Sequence, residues 1–456
     1  MERTPLRSTQ SPIPTLACIN VPSMARGRIN YKNGYWNSKK GRRMALVKKM
    51  RLPSDTFVLC GLACVIPSLA PLAPLQISSA AVLAAFYVCL LRSINEKGWF
   101  LKRTTSIIII ILLTAWAAIS SIWSIDGLHS LSSAFRLLLA ATTLIILCET
   151  ANRLKFSEQG LLLKCMAYGA IAGITITILS IGAIHLHTIW VQKTEITDHE
   201  LRFLNRNASV IVIFLWPWSL AILKTLGRPA TFAFVVLATI SLLLLAPSAP
   251  LLALCCASLS FLVAWYSPIL AKFTLASVYL CSVIAIPYLS SMAPHAVSIV
   301  SEHLANPASI VHRLMIWQFS SEQILENPIL GWGLNTARIL PGGGEEIVIG
   351  TAVHPDVPIL GQALPLHPHN ALIQIWLELG LVGLILFSML FFLILTAIPG
   401  AKEQRLACCI SISGLTAGFV ISQLGFCFWQ GWWLATLGIA AVLTQACTRT
   451  AMNPTT

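Results

Sequence analysis

Long apolar runs, interrupted by short polar connections, recur along most of the sequence. Runs of about 17 to 25 residues suit an α-helix that crosses roughly 30 Å of hydrocarbon, whereas a β-barrel would show alternating segments of about 10 residues. The pattern therefore predicts an all-α polytopic membrane protein with about twelve transmembrane helices. We expect these helices near residues 56–75, 77–92, 105–123, 129–148, 160–183, 207–224, 229–246, 249–266, 269–290, 371–398, 405–425 and 429–447.

Composition and the distribution of positive charge support this topology. The 456 residues are 56% hydrophobic and 11% charged, and the mean hydropathy is +0.77, whereas about 25% of a soluble protein is charged. With both termini in the cytoplasm, the short inner connections carry most lysines and arginines, as the positive-inside rule requires. The much longer outer segments hold only Lys193, Arg202, Arg206, Arg313 and Arg338.

The predicted spans divide the chain into five parts. Residues 1–55 form a basic cytoplasmic tail with twelve Lys and Arg against two acidic residues. We expect this tail to be disordered and to lie against anionic membrane lipids rather than nucleic acid. Residues 56–290 hold helices 1–9, residues 371–448 hold helices 10–12, and residues 449–456 form a second cytoplasmic tail. Residues 291–370 form one large, partly helical outer loop. Its part from residue 312 onward holds four of the ten histidines: His312, His354, His367 and His369.

The first half of the large loop predicts an amphipathic helix and a tight turn. A proline near each end bounds the helix between residues 307 and 328. Arg313 and Trp317, four residues apart, share a face of this helix, which we expect at the membrane surface with the indole at headgroup depth. In the run NPILGWGLN that follows, Gly331 and Gly333 permit a positive φ or a close backbone approach.

The second half of the loop ends in polar residues at the start of the tenth helix. The glycine-rich run at 341–346 is expected to be flexible, as a lid would be. His369 and Asn370 open the helix, next to the positive end of its dipole. Zinc binding by the HPH run with His354 and Asp356 is the weaker alternative, because the carboxylate spacing is irregular and no HExxH occurs. The 13 cysteines are scattered, so we predict neither a disulfide framework nor a metal or other cofactor.

The order of these motifs resembles the O-antigen ligase/O-antigen polymerase family of bacterial membrane glycosyltransferases. An arginine precedes a tryptophan by four residues, NPxxGxGxN follows, and His-Asn opens a span that continues as ExGxxG. The resemblance implies transfer of a glycan from undecaprenyl diphosphate to an acceptor hydroxyl, without a metal, at the periplasmic face of the inner membrane. In the ligase branch the acceptor is the lipid A–core, and in the polymerase branch it is another lipid-linked glycan.

The resemblance also implies roles for individual residues. The family's essential arginine and histidine correspond to Arg313 and His369, and its arginine before the sixth span corresponds to Arg202 or Arg206. Guanidinium groups can stabilise a departing lipid diphosphate, and a neutral imidazole can accept the proton of the acceptor hydroxyl. We therefore predict that His369 and Arg313 are catalytic. Substrate binding is predicted for Arg202, Arg206, Arg338 and Trp317, and structural support for Asn370, Gly331, Gly333 and Glu378.

Other functions remain open from the sequence. An O-antigen or exopolysaccharide polymerase fits the same motifs, and a protein O-oligosaccharyltransferase fits less well. A lipid-linked glycan transporter is a different class, but it would place cations inside several spans, whereas only Arg136 and Lys164 lie within spans here, near their ends. Arg136 either faces a cavity or extends to the lipid headgroups. The tryptophans at 429–433 fit an interfacial aromatic belt better than a sugar-stacking platform.

Overall fold

The computed structural model describes residues 54–95, 104–190, 198–245, 247–303, 308–351, 357–400 and 404–448. Helices make up most of this part of the chain. Their bounds are α1 Ser54–Leu72, α2 Ile77–Asn95, α3 Thr105–Ile119, α4 Gly127–Arg153, α5 Phe156–Trp190, α6 Asp198–Leu226, α7 Arg228–Leu245, α8 Ser248–Tyr266, α9 Pro268–Ala285, α10 Leu289–His303, α11 Ala308–Glu326, α12 Ala371–Ala397, α13 Arg405–Leu424 and α14 Gly431–Thr448.

The twelve predicted spans are confirmed. Within the described residues, twelve helices are long and apolar enough to cross a membrane, and each overlaps one predicted span. The protein is thus an all-α polytopic membrane protein. The ninth span is longer than predicted, because α9 continues through a short 3-10 turn at Ile286–Tyr288 into α10. The segment predicted as a loop from residue 291 therefore begins with a helix.

The core of the bundle is formed by α6, α13 and α14. About two thirds of the apolar window of α6 and of α13 is buried inside the protein, against 28% for α2, α3 or α4. Elsewhere small residues bring helices together: a Cβ on Gly169 would lie 2.4 Å from the carbonyl oxygen of Ala63, and one on Gly173 2.5 Å from that of Pro67. Helices α5 and α1 therefore pack backbone to backbone, as GxxxG spacing favours in membranes.

The segment between the ninth and tenth spans is folded onto the bundle. Helix α11 packs against α10 and α12 and buries Val311, Ile316 and Ile324, whereas Ile310 is 44% exposed. The helix therefore packs on protein, whereas the sequence analysis placed it at the membrane surface. After it, strands β1 Glu346–Thr351 and β2 Pro358–Gln362 form an antiparallel hairpin.

The glycine-rich run at 341–346 leads into this hairpin as a hydrogen-bonded turn. The backbone N–H of Leu364 donates to the carbonyl of Gly343 at 2.8 Å, and that of Ala363 donates to Glu345 at 3.0 Å. The segment that we expected to be flexible is thus hydrogen-bonded to the two residues that follow strand β2.

The tenth span is broken at Gly380. This residue has φ 65° and ψ −170°, so α12 is two helical pieces rather than the uninterrupted helix that the sequence predicts. The turn at 327–333 fills the break. The N–H groups of Trp332 and Gly333 donate to the carbonyls of Leu377 and Glu378, and the N–H of Leu381 donates to Pro328. A backbone group left unpaired in hydrocarbon costs several kcal/mol, so the turn stabilises the break.

Three tryptophan side chains also donate hydrogen bonds to backbone carbonyls at this contact. The indole N–H of Trp116 donates to Leu379, that of Trp123 to Gly331, and that of Trp376 to Pro328, at 2.8, 3.2 and 3.0 Å.

Glycine is required on both sides of the contact between the turn at 327–333 and the break in α12. A Cβ on Gly380 would lie 2.1 Å from the carbonyl oxygen of Ile329, and one on Gly331 would lie 2.5 Å from the backbone N of Gly380. Gly331 and Gly333 have φ values of 69° and 103°, so the positive φ that the sequence allowed is observed. The turn and the broken helix therefore meet backbone to backbone.

Candidate functional site

His369 lies immediately before helix α12 in a fixed orientation. Its φ of 55° is unusual for a residue other than glycine, and the next residue, Asn370, caps the helix by accepting a hydrogen bond from the N–H of Ile373 at 3.1 Å. The Nδ1 of His369 lies 2.8 Å from the carbonyl oxygen of Gly425. A carbonyl can only accept, so Nδ1 carries the hydrogen and Nε2 is the basic nitrogen.

The surroundings of His369 favour its neutral form. Burial lowers the pKa of His369, and the nearby Arg313 and His312 lower it further, against the opposing effect of the Gly425 carbonyl. The ring of His367 lies 4.1 Å away, and its Nδ1 accepts the backbone N–H of His369 at 3.2 Å. Burial, together with His369 and Arg338, lowers the pKa of His367 to about 3. Both imidazoles are therefore uncharged near neutral pH.

Arg313 and Trp317 approach this segment from α11. The indole N–H of Trp317 donates to the carbonyl of Pro368 at 3.0 Å, which fixes the peptide before His369. Arg313 is half-buried, and its charge acts on His369. Burial lowers the pKa of Arg313, but a guanidinium stays protonated in proteins.

Arg313 has no protein counter-ion within the described ranges, where it also makes no hydrogen bond. A partly desolvated cation without a carboxylate is costly unless an anion pairs with it. Its position beside His369 therefore suits the binding of an anionic group next to a base.

A cavity of about 770 Å³, called the arginine cavity below, is lined by two of the three other arginines that were predicted to bind substrate. Arg206 and Arg338 line it together, and Arg136, whose role the sequence left open, lines it as well. The guanidinium of Arg206 lies 6.0 Å from the ring centroid of Trp432, within the range of a cation–π interaction. The side chain of Arg202 lies outside the described part of the structure. Arg313, by contrast, lies near His369. Joint binding of one diphosphate by Arg313 and either Arg202 or Arg206 therefore remains a prediction.

Glu378 is fully buried and joins two loops of the site. Its Oε2 accepts the backbone N–H of Asn335 and the indole N–H of Trp429, both at 2.5 Å, and its Oε1 accepts from the amide of Gln374 at 3.1 Å. The Oε1 of Gln374 in turn accepts the N–H of Phe428 at 2.9 Å. Glu378 thereby fixes both the turn from the large loop and the connection between α13 and α14.

The connection between α13 and α14, residues 425–430, serves both parts of the site. It provides the Gly425 carbonyl that orients His369, and Cys427, Trp429 and Gln430 line the arginine cavity. The sequence analysis missed Gly425 and Gln374 and did not give Asn335 a role. Asn335 is the last residue of the NPxxGxGxN motif, and its place in that motif could have identified it as a site residue. Gly425 accepts the hydrogen bond through its backbone carbonyl, which every residue type has, so residue identity could not have predicted this role.

No group of three His, Cys, Asp or Glu that could hold a metal ion occurs among the residues described. His354 and Asp356, the residues of the weaker zinc alternative, lie outside them.

Comparisons with known proteins support the family resemblance that the sequence motifs indicate. Residues 233–388 match the model of a family described as O-antigen ligase. A protein of Rickettsia conorii, provisionally named a polysaccharide ligase, is 26% identical over 75% of this chain and 79% of its own length. A Rickettsia felis protein with the same provisional name is 26% identical over 71% and 76%, and one of Rickettsia typhi is 35% identical over 31% and 33%. The family match includes Arg313, His369 and Glu378.

Proposed function

We propose, from the match of residues 233–388 to the O-antigen ligase family model, that this membrane protein transfers a glycan from undecaprenyl diphosphate to an acceptor hydroxyl. The observation that carries the proposal is the pairing of an oriented, neutral His369 with the adjacent Arg313, a cation with no carboxylate partner among the described residues. A base beside an anion-binding group is what displacement of a diphosphate by a hydroxyl requires.

The proposed reaction is a direct displacement. The acceptor oxygen attacks the anomeric carbon of the donor sugar, and the bond from that carbon to the diphosphate oxygen breaks with its electron pair on the oxygen. The hydroxyl proton passes to Nε2 of His369. Arg313 stabilises the charge that develops on the departing undecaprenyl diphosphate. Attack from the opposite face inverts the configuration of the anomeric carbon.

The arginine cavity is proposed to bind the donor. Arg206 and Arg338 offer planar, bidentate donors to diphosphate oxygens, and the apolar side chains that line much of the rest of the cavity, among them Leu83, Leu139 and Leu144, suit a lipid carrier. We assign the reaction to the periplasmic face of the bacterial inner membrane, with both termini in the cytoplasm, and the lipid A–core as acceptor.

The test is glycan profiling of a deletion strain that is complemented with wild type, His369→Ala or Arg313→Ala. The matched control is His303→Ala, an exposed histidine at the end of α10. For a ligase, the deletion leaves full-length polymer on its lipid carrier, wild type and the control restore transfer to the lipid A–core, and the two site variants do not, at equal protein levels.

Other outcomes identify the alternatives. Single repeat units attached to the lipid A–core in the deletion strain indicate a polymerase. Loss of glycans from periplasmic proteins indicates a protein O-oligosaccharyltransferase. Full activity of both site variants contradicts the catalytic assignment and favours a lipid-linked glycan transporter.

A further inference from the structure

Asn335 holds an unusual backbone conformation where the turn of the large loop meets the arginine cavity. Its φ is 60°, its residual exposure is 8%, and it lines the cavity. Asparagine tolerates the left-handed region better than other residues that carry a Cβ. The preceding residue is anchored as well, because the N–H of Leu334 donates to Ser120 and its carbonyl accepts from Ser130.

Every polar group of the Asn335 side chain is used. The amide nitrogen donates to the hydroxyl of Ser133 at 2.9 Å and to Nε2 of His129 at 3.0 Å. The amide oxygen accepts from Nη2 of Arg338 at 3.3 Å. The reverse orientation of the amide would set its NH₂ group against the guanidinium, donor against donor, so the contacts determine one orientation.

These contacts connect a buried scaffold to an exposed cation. Arg338 is an exposed side chain at the cavity wall, and an arginine loses up to about 2 kcal/mol of rotamer freedom when it is fixed. Asn335 itself is held by helix α4 through Ser133 and His129 and by α12 through the carboxylate of Glu378. It can therefore fix the guanidinium before a ligand arrives.

We propose that Asn335 is a positioning residue that pre-orients Arg338 for the diphosphate of the lipid-linked donor. The proposal rests on the proposed function, because the anion that Arg338 receives is the diphosphate named there. Pre-orientation strengthens binding by removing part of the ordering cost that binding would otherwise carry.

The test is a double-mutant cycle on the purified full-length protein, with undecaprenyl diphosphate as the probe and undecaprenol as the control without phosphate. The variants are Asn335→Gly, Arg338→Ala and the combination of both. Glycine accepts the positive φ and keeps the backbone N–H that donates to Glu378, so Asn335→Gly removes only the side chain. Thermal melting of each variant checks that the fold is retained.

We expect Asn335→Gly to weaken binding of undecaprenyl diphosphate about 10-fold, as loss of a hydrogen bond to a charged group does. In the Arg338→Ala background the same change has no further effect beyond about twofold. Ser133→Ala, which loosens the Asn335 amide and leaves the turn intact, gives a smaller loss that also disappears without Arg338. This variant decides the question if Asn335→Gly does not fold.

Results that contradict the positioning role differ from results that contradict the proposed function. Effects of Asn335→Gly and Arg338→Ala that multiply in the double variant show that Asn335 does not act through Arg338, and the positioning role is then wrong. If wild type binds undecaprenyl diphosphate no better than undecaprenol, the proposed function itself fails. An unchanged affinity in Asn335→Gly beside a weakened Arg338→Ala overturns the positioning role alone.

Discussion

His369 donates its Nδ1 hydrogen to the backbone carbonyl of Gly425, 2.8 Å away. The two residues are 56 positions apart, and the hydrogen bond ties the start of α12 to the end of α13. Because the carbonyl occupies Nδ1, the imidazole presents Nε2 as its basic nitrogen. Trp317 holds the preceding peptide from a third helix, so the ring is oriented from several directions.

The pH dependence of transfer follows from the depressed pKa of His369. The ordinary pKa of histidine is about 6.5, and burial with the nearby Arg313 shifts that of His369 downward. The neutral form is the active base, so kcat/KM stays level as the pH falls through about 6.5 and decreases only below the lowered pKa. A pH series of kcat/KM checks this. An acid limb centred at or above about 6.5 contradicts the assignment.

Alanine at Gly380 is expected to destabilise the protein. The change introduces a Cβ 2.1 Å from the Ile329 carbonyl oxygen and strains a residue with φ 65°. We expect a loss of about 2 kcal/mol or more in the free energy of unfolding, seen as a lower melting temperature in detergent. Gly344→Ala is the matched control, because its Cβ would meet no atom within 4 Å. Equal melting of the two variants would rule out the proposed requirement for glycine.

Loss of the Trp317 indole N–H is expected to impair the chemical step more than donor binding. Trp317→Phe keeps an aromatic ring but removes the hydrogen bond to Pro368. A hydrogen bond contributes about 1 kcal/mol, so kcat falls about fivefold, while the affinity for undecaprenyl diphosphate is unchanged. Trp265→Phe, at a position 46% exposed on α8, is the control. A change confined to affinity would instead support the predicted substrate-binding role of Trp317.

The carboxylate of Glu378 is expected to act as a hydrogen-bond acceptor for three donors. In Glu378→Gln the new NH₂ group faces either the amide NH₂ of Gln374 or the N–H groups of Asn335 and Trp429. At least one buried donor therefore loses its acceptor. Such a group costs about 1–3 kcal/mol, which thermal melting measures. The swap Gln374→Glu with Glu378→Gln restores an acceptor opposite the amide and recovers part of the stability. A swap no more stable than the single variant shows that charge at position 378 is required.

The sequence predicts the number of spans well because that property is local. Length and apolar content of each run decide whether it can cross the membrane, and all twelve predicted spans correspond to candidate spanning helices. The ninth span was too short in the prediction, since its continuation at Leu289–His303 mixes polar and apolar residues.

The break in α12 could not be predicted from the same signals. The run around Gly380 is strongly apolar, and only the arrival of the turn at 327–333, about 50 residues earlier in the chain, supplies partners for the interrupted backbone. The partners of Glu378 and the role of Gly425 likewise depend on elements that meet only in the folded protein. Among the candidate residues, His369 and Arg313 were predicted because a motif marks them, and Arg338 because it is one of the few arginines in the outer segments.

The most direct measurement of the central claim is the single-turnover rate of glycan transfer by purified His369→Gln, with His303→Gln as the control. If His369 is the base, the variant loses about 10²–10⁴-fold in rate, binds undecaprenyl diphosphate as wild type does, and the control is unaffected. A His369→Gln rate close to that of wild type would show that another group accepts the proton.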